Sequence, residues 1–104
     1  MSKRASHTAL LQRLEDTLLR GPGEASSALR TAAAQGQGDG ALAALARQVQ
    51  TAAYKVTPEQ LSELQRSHSD DVLFETIVCA AFGAARARHE AGLAALDAAW
   101  EATS

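Results

Sequence analysis

The chain has 104 residues, a formal net charge of −2, a single cysteine and few aromatics. Its length suits one domain with a modest core. Mixed charge signs exclude the clustered Lys/Arg surface that phosphate backbones require, and one cysteine excludes an internal disulfide or a cysteine-built zinc site. Alanine supplies 24 residues and leucine 13, which is a helix-forming composition because neither loses much side-chain freedom in a helix. The start Met1-Ser2-Lys3-Arg4 leads into amphipathic sequence, with no apolar run of a signal peptide. Glu75 and Arg86 interrupt the best candidate for a membrane span. The expectation is a single all-helical, soluble cytoplasmic domain over residues 1–104, with no nucleic-acid or membrane partner.

Met1 to Ala5 reads as a frayed tail, and Ser6 as the cap of a helix running to about Arg20. Its Leu10, Leu11, Leu14 and Leu18 form one stripe at helical spacing. Gly21-Pro22-Gly23 ends it, glycine suiting a left-handed exit. A second helix is expected from about Glu24 to Gln35, with Glu24 and Arg30 complementing its dipole. Gly36 to Gly40 reads as a flexible solvent loop. It lacks the preceding strand and following Lys-Ser or Lys-Thr of a phosphate cradle.

A third helix is expected from Ala41 to Tyr54, with Leu42, Leu45, Val49 and Ala52 on one face. In Val56-Thr57-Pro58-Glu59-Gln60-Leu61, Thr57 is an N-cap, Pro58 takes the first helical position, and Gln60 completes a capping box. That helix should end near Ser67. Ser69 or Asp70 then caps the longest element, which runs to about Trp100 and is ~45 Å long. Pro58 to Val78 has the outline of a helix-turn-helix, but a recognition helix starting Asp70-Asp71 would repel DNA.

Chemistry-bearing residues concentrate on the long helix. Cys79 reads as a buried structural thiol among Val78, Ala80 and Ala81, or as a nucleophile with Glu75 one turn before it as base or relay. Glu75 is either an exposed acid at the positive helix end or a partly buried carboxylate poised for proton transfer. Arg86, Arg88, His89 and Glu90 form the densest polar cluster, read as a solvated or subunit-contact face, or as an anion site. His7, His68 and His89 have no metal-ligand spacing, so no metal and no cofactor are expected. Leu93, Leu96 and Trp100 read as core or as a contact between copies, along a Phe82–Leu93–Trp100 side.

The segments Tyr54-Lys55-Val56-Thr57-Pro58-Glu59-Gln60-Leu61, Asp70-Asp71-Val72-Leu73-Phe74-Glu75, Ala80-Ala81-Phe82-Gly83-Ala84-Ala85, and Arg88 with Ala91-Gly92-Leu93-Ala94-Ala95-Leu96 together resemble a small branch of the carboxymuconolactone decarboxylase-like family. Leu18 to Glu24 with Ala28-Leu29-Arg30 is similar to the same branch, so the resemblance spans about Leu18 to Ala98. It implies the alkylhydroperoxidase D-like fold, about five helices with a long C-terminal helix, assembled as trimers or hexamers. Redox-active members of that family use a Cys-x-x-Cys pair, a histidine four residues after the second cysteine and a glutamate upstream. Here Thr76-Ile77-Val78-Cys79 holds at most one of those cysteines, and Gly83 stands at the histidine's place. A dithiol mechanism is therefore excluded. Two readings stay open: a non-catalytic or degenerate oligomeric module, which is favoured, or an enzyme reducing a hydroperoxide or decarboxylating a small molecule. For the enzyme the candidate catalytic residues are Glu75, Cys79 and His89. An accessible Cys79 beside a buried Glu75 would favour the enzyme.

Overall fold

A computed structural model describes residues 3–103, and the side chains of 8–102. Five α-helices follow in order: α1 (Lys3–Arg20), α2 (Ser27–Gln35), α3 (Ala41–Ala52), α4 (Pro58–Gln65) and α5 (Asp70–Thr103), with one 3₁₀ turn at Ala53–Lys55. No strand occurs among the described residues. At 34 residues, α5 is ~51 Å long and sets the long axis of a 57 × 29 × 20 Å body.

Local chemistry explains most of the boundaries. Ser26 caps α2 by accepting from the Leu29 N–H at 3.1 Å, Thr57 caps α4 by accepting from the Gln60 N–H at 3.1 Å, and Ser69 caps α5 by accepting from the Val72 N–H at 3.2 Å. At Gly36 (φ 65°) the chain turns left-handed, and the Gly36 and Gln37 N–H groups close back onto the Ala33 and Ala32 carbonyls.

Several boundaries differ from the sequence expectation. The first helix begins at Lys3, ahead of Ser6, because nothing after Lys3 breaks it; Met1 and Ser2 lie outside the described residues. Residues 24–26 remain outside α2, held instead by Glu75 and by the Ser26 cap. Gly21 is not left-handed; its N–H closes on the Thr17 carbonyl, and the positive-φ glycines are Gly36, Gly38 and Gly40. The Gln60 side chain does not complete the capping box but donates to Gln48 Oε1 at 2.8 Å, tying α4 to α3. The loop expected to be flexible is pinned by Arg47, which donates to the Gly38 carbonyl at 2.9 Å.

The core is thin and forms two patches. Leu19, Ala33, Ala46, Cys79 and Ala80 make one; Leu45, Leu64 and Leu73 make the other, with Val49 packed against both. Alanine at the contacts allows the helices close together but buries little area per residue. The closest approach is at Gly83, where a Cβ would collide with the Ala34 carbonyl, so only glycine permits this α2–α5 crossing. Gln50 completes the junction, its Nε2 donating to the Ala34 carbonyl at 2.7 Å and the Ala80 carbonyl at 3.1 Å. Among the described side chains of α1 the buried one is Leu19, whereas Leu10 and Leu14 of the expected stripe are 49% and 44% exposed. The N-terminal half of α5 lies on α2 and α3, and beyond Arg86 almost every described residue is exposed.

Candidate functional site

Glu75 and Cys79 occupy one face of the first turns of α5, where the loop after α1 passes over them. The Glu75 carboxylate accepts two backbone hydrogen bonds, from the Glu24 N–H at 3.0 Å and from the Ala25 N–H at 2.7 Å. Each oxygen thus accepts one bond from the chain that leads into α2. A Cβ at Gly23 would strike this carboxylate and sit close to the Arg30 guanidinium, so a larger residue here would push the Glu75 side chain aside. As a sequence feature Glu75 reads as serving its own helix dipole or a reaction; in the fold it caps a neighbouring segment.

Cys79 is buried, and its Sγ–H points to the Leu18 carbonyl at 3.6 Å. Burial pushes the thiol's pKa up, the Arg30 guanidinium pulls it partway back, and the Glu75 carboxylate adds to the rise. A raised thiol pKa is the opposite of what a nucleophilic cysteine requires.

Arg30 is the residue that sequence reasoning placed wrongly. It does not lie at the end of α2 but in its first turn, 5% exposed. Its guanidinium donates to the Leu18 carbonyl at 2.8 Å and to the Gly21 carbonyl, neutralising the negative end of α1. Its Nε is buried without a hydrogen-bond partner. The signal that could have found it was the only charge on an otherwise small or apolar turn, Ala28-Leu29-Arg30-Thr31-Ala32.

A pocket of about 220 Å³ opens beside this cluster, lined by Thr17, Leu18, Pro22, Arg30, Phe74, Glu75, Val78 and Cys79. The third sequence candidate, His89, is not part of it. It is exposed and stands ten residues further along α5, ~15 Å from Cys79. Arg86, Arg88 and Glu90 border a larger open groove of about 570 Å³ between α5 and the ends of α1, α2 and α3. Arg86 is neutralised there by Glu15 at 3.3 Å and Glu90 at 3.0 Å, and Arg88 donates to the Gln50 carbonyl at 3.2 Å. Two carboxylates on one guanidinium leave little attraction for an anion. Among the described residues no group of three or more His, Cys, Asp or Glu side chains could hold a metal ion, and no helix is long and apolar enough to cross a membrane.

The chain matches no family model, no curated protein and no solved structure.

Proposed function

We propose that this chain is a self-associating helical module that does no chemistry of its own, an alkylhydroperoxidase D-like subunit in which the catalytic positions serve the fold. The observation that carries this reading is the engagement of Glu75: both carboxylate oxygens hold backbone N–H groups of the Glu24–Ala25 segment. A carboxylate so engaged is held in place by the segment it caps, and moving it would release that segment. Burial of Cys79 with a raised pKa points the same way.

Assembly is supported by the outer half of α5. Leu96 and Trp100 are 62% and 73% exposed on the outer half of α5. A helix that is apolar on more than its core face belongs in a larger assembly. The family resemblance adds the expectation of trimers or hexamers.

The test combines mass and reactivity. Light scattering at micromolar chain concentration should give a defined multiple of the chain mass, and a stable monomer would refute the assembly. Peroxide should oxidise the Cys79 thiol no faster than it oxidises free cysteine. Faster oxidation, abolished by Cys79→Ser, would reinstate the enzyme reading.

A further inference from the structure

The chain between α1 and α2 is fixed firmly at both ends and lightly in between. At its start the Gly21 N–H closes on the Thr17 carbonyl at 3.1 Å, and the Gly21 carbonyl accepts from the buried Arg30 guanidinium. At its end Ser26 caps α2, and the Ser27 hydroxyl donates to the Leu19 carbonyl at 2.6 Å. Residues 22–25 between these anchors form no helix, and Pro22, Gly23 and Glu24 are exposed. Ala25 is buried, so a single methyl group supplies the apolar contact. Among the described residues, the hydrogen bonds that reach the backbone of 22–25 both end on Glu75, at 3.0 Å from the Glu24 N–H and 2.7 Å from the Ala25 N–H.

A segment with few buried apolar contacts opens at lower free energy than the helices it joins. Opening here breaks two hydrogen bonds and uncovers one methyl, whereas unfolding also opens both core patches. The two bonds converge on one side chain, so they form and break together. The same segment shapes the pocket of about 220 Å³, where Pro22 stands in the wall with Glu75 and Arg30. We infer that residues 22–25 are a strap that opens while the helices stay folded, that Glu75 is its latch, and that opening presents the Glu75 carboxylate to this pocket. Arg30 keeps its bonds to the Leu18 and Gly21 carbonyls in the open state, because both lie outside the strap.

Gly23 reaches the latch from the other side. A Cβ there would meet Glu75 Oε1, the free end of a flexible side chain, and Gly23 is not among the positive-φ glycines. A methyl at this position therefore displaces the latch and leaves the helices where they are. Self-association plays no part in the opening: a chain that proves monomeric leaves the strap standing, and a strap that fails its test leaves the mass measurement untouched.

Amide hydrogen exchange of the full chain, read residue by residue by NMR, tests the strap. In the native protein the Ala25 N–H should exchange about tenfold or more faster than the N–H of Ala80, which is buried in α5. Its rate should stay flat in low urea while that of Ala80 climbs. Equal rates with equal urea dependence mean that the segment opens only when the chain unfolds, and overturn the strap. Glu75→Gln should speed Ala25 exchange about 30-fold, through the loss of one charge-assisted hydrogen bond. Gly23→Ala should speed it in the same direction. An Ala25 rate unchanged in Glu75→Gln removes Glu75 as the latch and overturns the proposal. Leu64→Ala thins the separate core patch of Leu45, Leu64 and Leu73, and should speed Ala80 exchange about tenfold or more while leaving Ala25 as it was. Ala25 accelerating in step with Ala80 overturns local opening. Should Leu64→Ala fail to fold, the urea dependence in the wild-type protein decides the same point.

Discussion

Replacing Glu75 by glutamine distinguishes a structural carboxylate from a catalytic one. The substitution keeps the size but offers one oxygen where there were two, and turns an amide N–H₂ toward a backbone N–H. One of the bonds from Glu24 and Ala25, at 3.0 and 2.7 Å, is lost and the other loses its charge assistance. Hydrogen bonds to charged groups contribute about 1.5–3 kcal/mol each. Because the Glu24 end is exposed to water while Ala25 is 4% exposed, the lower part of that range applies to the first bond. A loss of about 2 kcal/mol is expected for Glu75→Gln and about 3 kcal/mol for Glu75→Ala. The measurement is urea unfolding followed by circular dichroism, at one fixed chain concentration because assembly adds to apparent stability. With a slope near 1.5 kcal/mol per molar for so small a chain, the midpoint should fall by roughly 1–1.5 M. Midpoints within about 0.3 M of wild type would refute the structural role of this carboxylate.

Gly83→Ala should destabilise by about 1–3 kcal/mol in the same assay, since its methyl meets the Ala34 carbonyl, which cannot move without shifting α2; an unchanged midpoint would mean the crossing is loose. Arg30→Met removes the donors to the Leu18 and Gly21 carbonyls and should cost about 2–4 kcal/mol, visible as loss of the unfolding baseline near room temperature. The raised Cys79 pKa implies that the folded chain holds its thiol proton longer than the unfolded one. Its contribution to stability is complete below the unfolded thiol pKa, about 8.5, and is lost as pH rises through the higher folded value. The melting temperature should therefore drop more steeply above pH 8.5 in wild type than in Cys79→Ala, and parallel curves would contradict the burial. Labelling of Cys79 by a thiol reagent in the native protein should run at least tenfold slower than in urea.

Helix number, order and most starts were legible in the residues. Thr57-Pro58 and Ser69 carry their capping chemistry within a few positions, and the long helix has no breaker between Asp70 and Thr103. Glu75, Arg30 and Gln50 were not legible in the same way. Their partners are carbonyls and N–H groups of segments distant in sequence, and a backbone group looks the same whatever residue carries it. Gly83 shows the difference most sharply. In the sequence it marks a histidine missing from a resembled motif; in the fold it marks a place where α2 leaves no room for a side chain.

What the sequence by itself determined is therefore the set of helices, the absence of a dithiol, and the neighbourhood of Glu75 and Cys79, because helical spacing and caps are local properties. Only the tertiary structure decided what those two residues do. It brought the loop after α1 onto the Glu75 carboxylate, sealed Cys79 beneath Leu18, left His89 far from both, and turned the outer face of α5 to water. These outcomes depend on which groups α1 and α2 present to α5 once packed. That packing is governed by the close approach at Gly83 and by Arg30 under the end of α1, which no spacing along the chain records.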